Sequence, residues 1–140
     1  MFPNGTIWSN TREGLGYDLV FLGQSEAFLP DLDAAERRFE LPEYARVRES
    51  LANLGMQSAF DLLGTYLSSA SSLRAWTADA QLNTDADLRL SYLAGWGANA
   101  DLADDHYRKI LKYRGEPRQW FVGSPGAMAA LEDAMRRAAE

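Results

Sequence analysis

Apolar and polar positions follow two different periods along this chain. Before residue 24 the apolar residues come in two short β-branched and aromatic runs, Gly5–Ser9 and Tyr17–Leu22. The stretch between them, Asn10 to Gly16, is polar and punctuated by Gly14 and Gly16, which predicts a β-hairpin with a long loop. The second run is nearly all apolar, so it is expected to be buried on both faces. A strand buried in that way needs more sheet than one hairpin supplies.

From Leu32 onward the period is helical. Asp33-Ala34-Ala35-Glu36 has the spacing of a capping box and predicts a short helix to about Glu40. Pro42 suits the first turn of the next helix, whose Tyr44, Val47, Leu51 and Leu54 recur at helical spacing until Gly55. Ser58 with Asp61 predicts a third helix carrying Phe60, Leu63 and Leu67 on one face, and Ser71 or Ser72 a shorter one carrying Leu73 and Trp76. Leu82–Gly97 fits two templates: Leu88, Leu90 and Tyr92 alternate as in a strand, while Leu88, Tyr92 and Leu93 share a helix face. A helix capped by Asp85 or Asp87 is the preferred reading. Asp101 with Asp104 opens a helix with Ala103, Tyr107, Ile110 and Leu111 on its apolar stripe, closed by Gly115 and Pro117. Gln119–Val122 is expected to be extended, and Ser124-Pro125 starts a last helix with Met128, Leu131 and Met135 inward. The expected fold is α+β and mostly α. A hairpin over 1–24 is followed by six or seven helices over 25–140, together one compact unit without an internal repeat.

Composition narrows the function. In 140 residues there is no cysteine and one histidine, His106, which excludes disulfides, thiolate catalysis and Cys- or His-rich metal sites. A net charge of −6 argues against a nucleic-acid surface. No apolar run reaches the ~18–20 residues of a membrane span. The first residues lack a basic region followed by an apolar one, so no secretion signal is expected.

Two stretches carry a resemblance. Phe2-Pro3-Asn4-Gly5-Thr6-Ile7-Trp8 with Gly16-Tyr17-Asp18-Leu19-Val20-Phe21-Leu22-Gly23 resembles the last two strands of the catalytic domain in spermidine synthase-like proteins. Asn83-Thr84-Asp85-Ala86-Asp87-Leu88-Arg89-Leu90-Ser91-Tyr92-Leu93-Ala94-Gly95 resembles the Asn-Thr-Asp-Asp-rich segment of the bacterial group in which such a domain is fused to a major-facilitator-like membrane region. Ala86 stands where that group carries a second consecutive acid. The resemblance implies a C-terminal accessory segment of a polyamine aminopropyltransferase-like protein, on the cytoplasmic side, with an upstream catalytic domain or a second copy as partner. The nucleoside-binding loop and catalytic acids of that family lie upstream of the resembling stretch, and no Gly-x-Gly-x-x-Gly occurs here. No catalytic residue, metal or cofactor is therefore expected in the chain. The alternative is a non-enzymatic helical interaction module that oligomerises through its hairpin.

Candidate ligand contacts follow from the resemblance. Asn83, Thr84, Asp85 and Asp87 would face a polyamine through charge-assisted hydrogen bonds, or would simply cap a helix. Trp8 and Tyr17, with Gly14 and Gly16, would border the substrate groove, or would be ordinary hairpin core and turn residues. Asp104, Asp105 and His106 project to different helix faces and are expected to be solvated. Arg108, Lys109, Lys112, Arg114 and Arg118 form the basic run, explained by the helix dipole or by an anionic contact. Ser124 is expected to be a cap, since Gly123-Ser124-Pro125 is no nucleophile elbow.

Overall fold

A computed structural model describes residues 3–9, 18–82, 84, 86, 88–100 and 102–139. Strand β1 (Thr6–Ser9) and strand β2 (Leu19–Leu22) form the expected antiparallel hairpin, with Thr6 opposite Leu22 and Trp8 opposite Val20. A third strand, β3 (Tyr66–Ser69), pairs antiparallel with the other edge of β1, giving the order β2-β1-β3. Around this sheet stand α1 (Leu32–Phe39), α2 (Ala45–Asn53), α3 (Ala59–Leu63), α4 (Arg89–Asn99), α5 (Ala103–Leu111) and α6 (Pro125–Ala139). Short 3₁₀ turns occupy Pro42–Tyr44 and Pro117–Gln119. The chain is thus α+β and mostly α, with six α-helices among the described residues.

β3 departs from the sequence reading, which placed Leu67 on the α3 stripe. Helix α3 stops at Gly64, whose N–H donates to Phe60 O at 2.7 Å. The adjacent Tyr66 and Leu67 must then both be buried, and only alternation across a strand sends neighbours to opposite faces. Tyr66 packs with Leu32, Phe121, Met128, Leu131 and Met135, while Leu67 packs with Ile7, Leu73 and Ile110. The sheet therefore has a hydrophobic cluster on each face, one roofed by α6 and the other by α5.

Strand β2 is a second correction. It is an edge strand, and Val20, Phe21 and Leu22 are 50%, 69% and 47% exposed instead of buried on both faces. Only Leu19 joins a core cluster. Residues 70–79 form successive turns and not the helix expected after Ser71 or Ser72. Ser69 Oγ accepts the Ser72 N–H at 3.1 Å and bonds both neighbouring serine hydroxyls, so the serines close a turn. Leu73 is nevertheless inward, and Trp76 stacks on Tyr113 at 6.0 Å.

The helix over Leu82–Gly97 is present as α4, but its Leu88, Tyr92 and Leu93 face solvent together with Trp96. Leu88 precedes the helix with φ +47°, in the left-handed region. The N-cap positions are Leu88 for α4 and Leu102 for α5, neither with a side-chain cap, in place of the expected Asp85 or Asp87 and Asp101, which lie outside the described residues. Helix α2 ends as expected at Gly55, whose φ of +75° few other residues tolerate. Helix α6 begins after Ser124 and buries Met128, Leu131 and Met135, as its spacing predicts. No helix among the described residues is long and apolar enough to cross a membrane.

Candidate functional site

A concavity of about 880 Å³ lies between the sheet, α1 and α2, with α3 closing one side. Its floor is aromatic. Trp8 meets Tyr66 edge-on at 5.4 Å and Phe121 at 6.4 Å, and its Nε1–H donates to Thr6 Oγ1 at 2.9 Å, which fixes the indole. Such edge-on pairs hold rings in defined positions beyond what area burial alone supplies. The walls come from Phe39 of α1, Val47 and Leu51 of α2 and the Phe28–Pro30 strip that leads into α1. Ala34 and Ala35 on α1 face the same space, and their small side chains leave it wide.

Capping sets the position of these walls. Asp31 Oδ1 accepts the Ala34 N–H at 2.9 Å, so the N-cap of α1 is Asp31, two residues before the predicted box. The predicted box residues are used elsewhere. Glu36 Oε2 accepts the Ala59 N–H of α3 at 2.9 Å, and Asp33 holds Ser124 at the start of α6. Arg48 of α2 donates to the carbonyls of Phe39 and Leu41, tying α2 to the end of α1.

The charged side chains on the cavity wall are Asp31, Arg37 and Arg38. Asp31 is engaged at the helix cap, and both arginines are exposed. The rim is therefore net positive in a chain of charge −6.

A second polar feature lies behind the floor. Tyr66 Oη, Arg114 Nε and Trp120 Nε1 are buried with no hydrogen-bond partner. Arg114 also donates from Nη1 to Met135 O at 3.2 Å. Burial pushes the Tyr66 and Tyr107 phenols up and the Arg114 guanidinium down.

Of the residues the sequence singled out, Trp8 lies in the cavity wall. Thr84 is exposed and is not part of that wall, so the structure does not bring these two together. Tyr17, Asn83, Asp85 and Asp87, with Gly14 and Gly16, lie outside the described residues. Asp104 forms an exposed i,i+4 pair with Arg108 at 3.8 Å, and Asp105 and His106 are exposed. Lys109, Lys112 and Arg118 of the basic run face solvent, but Arg114 turns inward. Ser124 Oγ accepts the Ala127 N–H at 3.3 Å, the capping role expected of it. Among the described residues no cluster of three or more His, Asp or Glu could hold a metal ion.

Sequence reasoning missed Arg37 and Arg38. The available signal was a pair of arginines directly before Phe39, at the end of a helix preceded by Phe28-Leu29-Pro30. No family model, curated protein or solved structure matches the chain.

Proposed function

We propose that this chain is a non-catalytic accessory segment of a spermidine synthase-like, polyamine aminopropyltransferase-like protein, and that it docks through β2 onto the sheet of a methyltransferase-like domain. The observation that carries this reading is the state of β2. It is a sheet edge whose Val20 and Leu22 on one face and Phe21 on the other are all about half exposed or more. A flat apolar edge of this kind is a template for another strand, and Asp18 beside it is the nearest charge to oppose pairing. In the resembling family the reaction is attack of a polyamine amine on decarboxylated S-adenosylmethionine. The acids and nucleoside loop for that chemistry would come from the docked domain.

The test mixes this chain with a catalytic domain of the fused bacterial group truncated before its last two strands. A one-to-one complex with slowed amide exchange at Leu19–Leu22, lost in Val20→Lys, is expected. No complex, or a complex indifferent to Val20→Lys, overturns the docking. The chain alone, given putrescine and decarboxylated S-adenosylmethionine, should show no turnover, and turnover above background overturns the non-catalytic assignment. The same exposed edge also favours a second reading, an interaction module whose β2 pairs with β2 of a second copy.

A further inference from the structure

We propose that the cavity between the sheet, α1 and α2 binds a single-chain amphipathic carboxylate, a fatty acid-like molecule whose chain lies against Trp8 and Trp120 and whose head group meets Arg37 and Arg38. This goes beyond the docking reading and does not rest on it: of the three exposed β2 residues Leu22 alone lines the cavity, and Val20 and Phe21 do not.

Three observations converge. A volume of about 880 Å³ lies within the range of sites for small molecules, and its walls are almost wholly aromatic and aliphatic. Such walls offer water few partners and favour transfer of a hydrocarbon chain out of water. The charge at the rim is net positive. Arg37 and Arg38 line the cavity while remaining exposed, as long side chains with an apolar stem and a charged head can do, and Arg37 also acts on the Asp33 carboxylate one turn before it. Asp31, the one carboxylate on the wall, already accepts the Ala34 N–H. Finally, this positive rim belongs to a chain of net charge −6, so it is a local feature and not the general character of the surface.

The same arrangement disfavours other occupants. A polyamine would place ammonium groups against two guanidinium groups with one engaged carboxylate to offset them. A nucleotide would need several polar groups for its base and sugar, and the wall supplies few. A carboxylate with an apolar tail matches both parts, since guanidinium pairs with carboxylate in a planar, two-point geometry.

The experiment uses the intrinsic tryptophans of the full chain. Trp8 and Trp120 are in the wall, whereas Trp76 and Trp96 are not. A dibrominated stearate quenches indole fluorescence on contact, so titration below its micellar concentration should give saturable, partial quenching. Replacing Arg37 and Arg38 together by Gln should weaken binding about tenfold, the loss of a charge-assisted hydrogen bond. Ala35→Trp should block the cavity, and Val47→Trp serves as a second filling variant if the first does not fold. Phe21→Lys, on the face of β2 opposite Val20 and Leu22 and paired with Ile7 instead of Trp8, should leave the titration unchanged even where it abolishes docking, which separates the two proposals. Absence of saturable quenching overturns the proposal. So does equal affinity for the methyl ester, and so does quenching that survives both the arginine and the filling variants.

Discussion

Asp33 of α1 holds Ser124 at the start of α6 with both carboxylate oxygens. Oδ2 accepts the Ser124 N–H at 2.6 Å and Oδ1 accepts its hydroxyl at 2.8 Å. Ser124 in turn accepts the Ala127 N–H, so one side chain from α1 orders the cap of a helix 91 residues away in sequence. Just beside it the backbone is laced, with Leu32 N–H donating to Val122 O at 2.8 Å and Val122 N–H to Pro30 O at 3.0 Å. The strip that forms one cavity wall is thereby fastened to the N-terminus of α6.

The first prediction tests that clamp. Ser124→Ala should cost about 1 kcal/mol, the usual loss for a deleted cap. Asp33→Ala should lower the urea midpoint as well. Since both variants break the same unit, the double variant should lose less than the sum of the singles. Strict additivity in a double-mutant cycle would show that the carboxylate and the cap act independently.

A second clamp predicts the acid limb of the stability curve. Burial works against the Asp61 carboxylate, but hydrogen bonds from Arg137, Gln57 and Ser58 outweigh it and hold its pKa below the usual carboxylate range. The Arg137 contact, at 2.8 Å, joins α3 to α6. A carboxylate with a lowered folded-state pKa contributes stability that is complete above its unfolded value, near 4, and disappears as pH falls through the folded one. Asp33, lowered by its hydrogen bonds from Ser124, adds to the same limb. Asp61→Asn should therefore flatten the fall in melting temperature below about pH 4. An acid limb identical to that of the wild type would remove Asp61 from the explanation.

How far the sequence foretold this architecture depends on how local each determinant is. The hairpin, α2 with its Gly55 stop and α6 after Ser124-Pro125 were legible because a few neighbouring residues decide them. β3 was not, because Phe60, Leu63 and Leu67 satisfy a helical period, and the case for a strand comes from the free edge of β1, some 60 residues away. Asp33 and Glu36 had the right chemistry for capping, but the helices they cap are α6 and α3. Of the candidate site, Trp8 could be named from the sequence. The pairing of Trp8 with the Arg37-Arg38 rim could not, since it depends on how α1 crosses the sheet.

The third prediction concerns the Tyr66 hydroxyl. The residue is 1% exposed and its Oη closes no hydrogen bond of good geometry, although the Ser69 hydroxyl and the Arg114 charge beside it partly offset its burial. Removing an unpaired buried hydroxyl while keeping the ring should stabilise the fold, by about 1 kcal/mol from the desolvation it relieves. Burial also raises the phenol's pKa, so Tyr66 resists ionisation in the fold more than in the unfolded chain. Its contribution is complete below about pH 10 and is lost as pH rises beyond that. Tyr66→Phe should thus raise the melting temperature at neutral pH and soften the alkaline fall. A loss of stability at neutral pH would mean that the hydroxyl is paired.

The fourth prediction tests the approach of α3 to α6. A Cβ at Gly64 would lie 2.8 Å from Ala134 Cβ and 2.9 Å from the Ala134 backbone carbon. Neither atom is the end of a flexible side chain, so Gly64→Ala has to push the helices apart. The expected cost is about 1–3 kcal/mol, the range for overpacking. Gly64 has φ −64°, so Ala fits its backbone, and the loss comes from crowding against Ala134 and the Phe60 carbonyl, less the gain from a stiffer unfolded chain. The double variant Gly64→Ala/Ala134→Gly should recover part of it. Unchanged stability in Gly64→Ala would show that the two helices can separate freely.

The last prediction is self-association of the isolated chain through β2. Its inner edge is satisfied by β1, with Ser9 opposite Leu19 and Thr6 opposite Leu22, while no strand covers its outer edge among the described residues. With Val20, Phe21 and Leu22 all exposed, pairing with a second copy buries apolar side chains and closes the outer ladder at once. Light scattering should accordingly show a dimer or larger species at high concentration when no docking domain is present. Val20→Lys puts an ammonium group where the valine is half exposed, so the lysine can reach water in the monomer and the fold should survive. In a paired edge the same lysine meets its symmetry mate or an apolar neighbour, and association should fail. The separating measurement is therefore mass together with melting temperature: a monomer of near wild-type stability supports β2 as the contact. A Val20→Lys variant that remains an oligomer places the contact elsewhere, with the exposed Tyr92 and Trp96 of α4 as the next surface to alter.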